Sequence, residues 1–152
     1  MRHGLGGVAR QADLCNVSFD LSPAEWQRYQ RVIAEQCAVI GRDPGEVGLT
    51  HNATVVIGTT RADAEDRLDR LARSRHLTRE QARHGLANAL VGTPAEIVQK
   101  LLDYRAAGVP LAWVFLLFPD LPSTRSLRLF AEEVLPAYRA AVGYHQDATH
   151  HL

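Results

Sequence analysis

The sequence predicts an α/β fold with parallel strands, on three observations. Runs rich in β-branched, aromatic and large aliphatic residues occur at Leu14 to Phe19, Leu49 to Ile57 and Leu111 to Phe118. Amphipathic helical stretches separate them, so each strand must return through a crossover, and crossovers join parallel strands. The third run, LAWVFLLF, holds eight apolar residues with no charge among them, the pattern of a strand packed on both faces.

LCNVSF, Leu14 to Phe19, is the first strand. SPAE at Ser22 to Glu25 then combines a hydroxyl cap, a proline at the first helical position and a glutamate that reaches back. The helix it opens carries Trp26, Tyr29, Ile33, Cys37 and Ile40 at three- and four-residue steps and stops at Gly41. LTHNATVVI, Leu49 to Ile57, is the second strand. TRAD from Thr60 and TREQ from Thr78 predict two shorter helices, near 61–73 and 79–90. TPAE at Thr93 to Glu96 repeats the capping device, followed by a stripe of Ile97, Val98, Leu101 and Leu102 that ends at Gly108. After the third strand, Leu127, Phe130, Val134, Leu135 and Tyr138 stripe a last helix near 124–141. GYHQDATHHL reads as a frayed end, which divides the chain into a domain at 1–142 and a flexible C-terminal tail at 143–152. The strands are expected side by side in the order 14–19, 49–57, 111–118, joined by right-handed crossovers.

With 152 residues, 46% of them hydrophobic and 22% charged, the chain is long enough for one buried core. Seventeen basic residues balance seventeen acidic ones, so no net field draws it to nucleic acid or to an anionic membrane. The apolar run is too short to span a bilayer and the N-terminus lacks the pattern of a signal peptide, so a cytoplasmic location is expected. Cys15 and Cys37 have no CxxC spacing and read as inert buried thiols.

Five phrases carry a resemblance to a known family: VARQADLCNV (Val8 to Val17), CAVIGRDPGEV (Cys37 to Val47), TVVIGTTRADAE (Thr54 to Glu65), VGTPAEIVQKL (Val91 to Leu101), and AGVPLAWVFLL into LRLFAEEVLP. In this order they resemble the C-terminal part of the luciferase-like monooxygenases, flavin- or deazaflavin-dependent oxidoreductases built on a (β/α)8 TIM barrel. The resemblance implies the last three βα units of such a barrel, strands parallel and helices outside, with the barrel incomplete in this chain. It also implies FMN or a deazaflavin (coenzyme F-420) as cofactor and a small-molecule substrate in the full barrel. The units that hold most of the cofactor and the catalytic groups in relatives have no counterpart here, so the catalytic residues are unknown and the isolated chain is expected to be inactive.

Barrel chemistry sits at the C-terminal ends of strands, which makes Asn16, Ser18, Thr59, Thr60 and Phe118 to Asp120 the candidates. Alternation puts Asn16 and Ser18 on one face, toward the lumen, and Cys15, Val17 and Phe19 on the other. There an amide and a hydroxyl can either touch a cofactor or bond neighbouring backbone at the strand end; the cofactor-binding candidates are Asn16 and Ser18. Thr93 is no phosphate site, because Pro94 removes a donor and Glu96 brings negative charge. His51, near the start of its strand, is expected to make a structural hydrogen bond. No metal site, catalytic triad or phosphate loop is recognisable, and the histidines of the tail are not pre-organised for an ion.

Three functions are compatible with this reading. One is the oxidoreductase; another is a non-catalytic truncated fragment or a half-barrel subunit that needs a partner chain; the last is a small protein-binding module. An isolated chain of this kind is expected to bind FMN or the deazaflavin weakly and to self-associate through its apolar third strand.

Overall fold

The computed structural model describes residues 2–109, 114–120 and 123–143. In chain order the elements are α1 (Arg2–Gln11), β1 (Leu14–Phe19), α2 (Pro23–Ile40), β2 (Gly48–Ile57), α3 (Arg61–Ser74), α4 (Arg79–Gly85), β3 (Leu90–Gly92), α5 (Pro94–Ala106), β4 (Val114–Leu117), α6 (Arg125–Leu129) and α7 (Leu135–Ala141). Every pairing is parallel, and β2 is central, since Asn52 is matched by Phe19 of β1 on one edge and by Phe115 of β4 on the other. The three expected strands are therefore neighbours in the expected order. Residues 111–113 of the third strand and 144–152 of the tail lie outside the described residues.

Two expectations need correction. The fourth helix ends at Gly85 rather than near residue 90, and Leu90–Gly92 forms a fourth strand paired with Val55–Ile57. Three residues are too few to show a strand period in sequence, and burial against β2 overrides the helical pattern that precedes them. The last helix is interrupted by a π-helical turn at Phe130–Val134, where the Leu135 N–H reaches back to the Phe130 carbonyl. The cause lies two residues on: Pro136 has no N–H, and the wider turn moves the preceding carbonyls away from its ring.

The helix starts form for the expected reasons. Ser22 and Thr93 each accept from the backbone N–H three residues on, while Glu25 and Glu96 reach back to the cap N–H. Thr78 and Gln81 make a third reciprocal box, and Gly41 closes α2 in the left-handed region at φ 71°.

The core lies on one face of the sheet. Leu49, Ala53, Val55 and Ile57 of β2 and Val114 of β4 pack with Trp26, Ile33 and Cys37 of α2, Ile97, Leu101 and Tyr104 of α5, and Phe130, Val134 and Tyr138 beyond them. Val56, near the end of β2, is covered separately by Leu68, Ala72 and Ala82 of α3 and α4. The remaining face is bare: Leu14, Phe19, Phe115 and Leu117 are 47%, 60%, 50% and 40% exposed. The third strand, read in sequence as covered on both sides, is covered on one.

Candidate functional site

The bare face is built from alternate residues of three strands. Register places Asn16 beside Thr50, Asn52 between Phe19 and Phe115, and Thr54 beside Leu117. Asn16 is exposed there, and its Nδ2 donates to Asn52 Oδ1 at 3.2 Å. The floor of the face is thus an amide pair with an aromatic residue on each side.

Ser18 is not on this face. Between Asn16 and Phe19 the register with β2 advances two residues while β1 advances three, a β-bulge that inverts the alternation. Phe19 is carried to the bare face, and Ser18 turns toward α1 and α2. There it lines a cavity of about 260 Å³ with Leu5, Leu21, Glu25, Arg28, Tyr29 and Val32. The expectation that Asn16 and Ser18 share a face failed because period two holds only while the ladder is regular.

The bulge is locked by a residue that sequence reading passed over. Asp20, at φ 47°, donates its N–H to the Asn52 carbonyl at 2.7 Å, and its carboxylate accepts from the Thr54 N–H at 2.6 Å and the Thr54 hydroxyl at 2.9 Å. An Asp directly after a strand, which tolerates the left-handed region and carries its own acceptors, was the available signal.

The other candidates make structural contacts. Thr60 caps α3 by accepting from the Asp63 N–H, and the Thr59 N–H donates to Asp63 Oδ2 at 3.0 Å. Asp120 accepts from Ser126 Oγ at 2.7 Å and faces Arg67, while Phe118 packs edge-on against Phe130 at 5.7 Å. Glu96, bound to Thr93 and to Arg61, fills the space an anion would need at the start of α5. Glu65 draws Arg61, Arg79 and Arg83 together, and the cleft of about 530 Å³ lined by Glu65, Arg61 and Arg83 carries its own ion pairs.

His51 lies on the core side of β2, fully buried, with its ring 5.5 Å from Trp26 and 5.3 Å from Tyr104. The expected structural hydrogen bond is absent: neither ring nitrogen has a partner among the described residues. Burial lowers its pKa, and the negative charge of Asp20 opposes the shift only in part. Among the described residues no cluster of His, Cys, Asp and Glu could hold a metal ion, and no helix is long and apolar enough to cross a membrane.

None of the residues that alternation places on this face carries a charge; Thr50 and Thr54 are buried there, at 0% and 5% exposure, which leaves Leu14, Asn16, Phe19, Gly48, Asn52, Phe115 and Leu117 accessible. These accessible residues include no carboxylate, amine, imidazole or thiol side chain.

No family model matches the sequence, and no curated protein is detectably similar to it. Solved structures are similar in fold. The EDTA monooxygenase of Chelativorans sp. BNC1 matches with a TM-score of 0.70 at 14% identity, over 97% of this chain and 46% of that one. A monooxygenase from Streptomyces bottropensis matches at 0.65 and 20% identity, over 91% and 46%. The coenzyme F-420 dependent tetrahydromethanopterin reductase of Methanopyrus kandleri matches at 0.59 and 17%, over 91% and 49%. The chain therefore spans about half the length of the structures it resembles. The resemblance to luciferase-like enzymes expected from the five phrases is borne out at the level of fold.

Proposed function

We propose that this chain forms the C-terminal portion of a luciferase-like, flavin- or deazaflavin-dependent oxidoreductase barrel, and that its bare sheet face is its share of the lumen. The observation that supports this reading is a coincidence of two facts. The fold match runs over 97% of the chain, and the surface that would turn inward in a barrel is the one left uncovered. FMN or coenzyme F-420, when bound, supplies hydride transfer or oxygen activation. The chain supplies a wall: Asn16 and Asn52 offer amide groups to a heterocycle, and Phe19 and Phe115 flank them. Since the face carries no positive charge, a cofactor phosphate would be held by another part of the barrel. Ser18, turned toward α1 and α2, could reach a cofactor only through the cavity beside those helices.

The bare face also favours a second reading, a half-barrel subunit that is inactive until another chain completes the lumen. In both cases the chain alone binds cofactor weakly, because a pocket must enclose most of its ligand.

Titration of labelled protein with FMN and, separately, coenzyme F-420, followed through the side-chain amide resonances of Asn16 and Asn52, tests the proposal. Those resonances are expected to move in the millimolar to high-micromolar range and to stop moving in Asn16→Ala. Shifts confined to other surfaces would remove the lumen assignment.

A further inference from the structure

We infer that the cavity between α1, β1 and α2 binds a small zwitterion with an aliphatic side chain, an α-amino acid of the size of leucine, its charged head at the mouth and its tail inside. The site lies away from the bare face and stands whether or not a flavin binds there.

Helical period and the bulge in β1 build the lining together. Glu25, Arg28, Tyr29 and Val32 stand at i, i+3, i+4 and i+7 of α2 and so form one stripe. The bulge turns Ser18 toward this stripe, and Leu5 of α1 and Leu21, both buried, close the floor. Bulges re-aim side chains in this way, and the consequence here is a hydroxyl set among aliphatic walls. The volume, about 260 Å³, lies below the roughly 300–1,000 Å³ of sites for larger ligands, so only a small molecule fits.

Polar groups in the lining lack partners. Among the described residues the Ser18 hydroxyl, the Tyr29 hydroxyl and the Arg28 guanidinium make no hydrogen bond. Glu25 Oε2 accepts from the Ser22 N–H at 2.8 Å, the Ser22 hydroxyl at 2.7 Å and Asn88 Nδ2 at 3.3 Å, and among the described residues Oε1 has no donor. Bonds from Ser22, and after them the charge of Arg28, lower the pKa of Glu25, so both charges are present at neutral pH. Three residues apart on one helix, this carboxylate and guanidinium are neighbours. One α-carbon can then offer an ammonium to the first and a carboxylate to the second. A lone anion is attracted by Arg28 but repelled by Glu25, and a lone cation the reverse. Glu25 and Arg28 are exposed while Leu5 and Leu21 are buried, so the cavity grades from a charged mouth to an apolar floor.

Isotope-labelled protein titrated with L-leucine, and followed through the backbone amide resonances of Ser18, Leu21 and Tyr29, is expected to show saturable shifts. The Kd should fall in the millimolar range, since charges at an exposed mouth are screened. Glycine lacks the tail, leucinamide the carboxylate and isocaproate the ammonium, and each should bind at least ~10-fold more weakly. The last two also distinguish a free amino acid from the end of a peptide, which carries one charge only. Arg28→Gln should weaken leucine binding at least ~10-fold with the helical circular-dichroism signal retained. Ser18→Leu, which fills the cavity, should abolish it. Shifts that do not saturate, shifts at Asn16 and Asn52 instead, equal binding of glycine or either single-charge analogue, or affinity indifferent to Arg28→Gln would each overturn the proposal. The Arg28→Gln arm still decides if Ser18→Leu fails to fold.

Discussion

Asp20 and His51 show how much single side chains decide in this sheet. Asp20 terminates β1, holds the backbone at φ 47° and satisfies two donors of Thr54, itself 5% exposed. Asp20→Ala removes both acceptors and places a Cβ-bearing residue without a local hydrogen bond in the left-handed region. Urea unfolding should report a loss of about 1–3 kcal/mol, with Asp20→Asn closer to the parent because asparagine tolerates that conformation. His51 predicts acid sensitivity. Its folded pKa lies below the ordinary value near 6.5 because burial disfavours the cation, so the unfolded chain takes up the proton first. Stability is full above about pH 6.5 and falls as pH drops below it, by up to about 1.4 kcal/mol per pH unit until the folded pKa is reached. The facing groups leave this sign unchanged: Asp20 only offsets part of the shift, Trp26 does not titrate, and burial holds the Tyr104 hydroxyl, which donates to the Leu21 and Asn88 carbonyls, well above its usual range. His51→Phe should flatten stability between pH 5 and 7; an unchanged slope would assign the effect to other groups.

At the scale of elements, the joints are tighter than the strands and helices they connect. Gly58 sits where β2 turns into α3, and a Cβ there would lie 2.3 Å from the Ala64 nitrogen. Because the obstacle is backbone, Gly58→Ala must displace α3 from β2. A loss of about 1–3 kcal/mol is expected, and thermal melting at parent-like stability would mean that the joint yields more easily than its packing implies. The capping boxes are softer. Ser22→Ala should cost about 1 kcal/mol. Thr93→Ala should cost a similar amount, and since Glu96 also receives Arg61 Nη1 at 2.9 Å, a double-mutant cycle with Arg61→Ala should reveal whether cap and ion pair support each other. The π-helical turn belongs to the same scale, as a local answer to Pro136 within an otherwise continuous helix.

At the scale of the molecule, one face of a four-stranded parallel sheet is packed and the other is mostly bare. The packed side, with Trp26, Ile33, Ile57, Ile97, Leu101 and Phe130 almost fully buried, makes a core large enough for cooperative folding. Self-association through the bare side would make stability depend on concentration. If a second copy covers it, the melting temperature should rise with protein concentration by mass action, and this dependence should vanish in Phe115→Lys. Fluorescence titration should at the same scale find no submicromolar binding of FMN or coenzyme F-420 by the separate chain. Tight binding would mean that the described face and the cavity beside Ser18 enclose a ligand more fully than three strands of a barrel should.

The sequence by itself determined whatever rests on neighbours along the chain: the alternation of strand and helix, the capping boxes at Ser22 and Thr93, the stop at Gly41, the parallel order of the three principal strands and the resemblance that the fold bears out. These follow from period, cap chemistry and crossover length, which act within a dozen or so residues. Tertiary structure decided the rest. The strand at Leu90–Gly92 exists because Val55–Ile57 offers it a ladder; Ser18 and Phe19 exchange faces because β2 sets a register that β1 can follow only with an extra residue. His51 lost its expected hydrogen bond because α2 and α5 bring rings rather than acceptors to it. Asn16 was legible as a face residue, but its partner Asn52 and the flanking Phe19 and Phe115 were not, since their proximity is created by pairing between strands that lie far apart in the chain. An apolar run such as Val114–Leu117 states that it can be buried on both sides; only the assembled sheet shows that its own chain covers one.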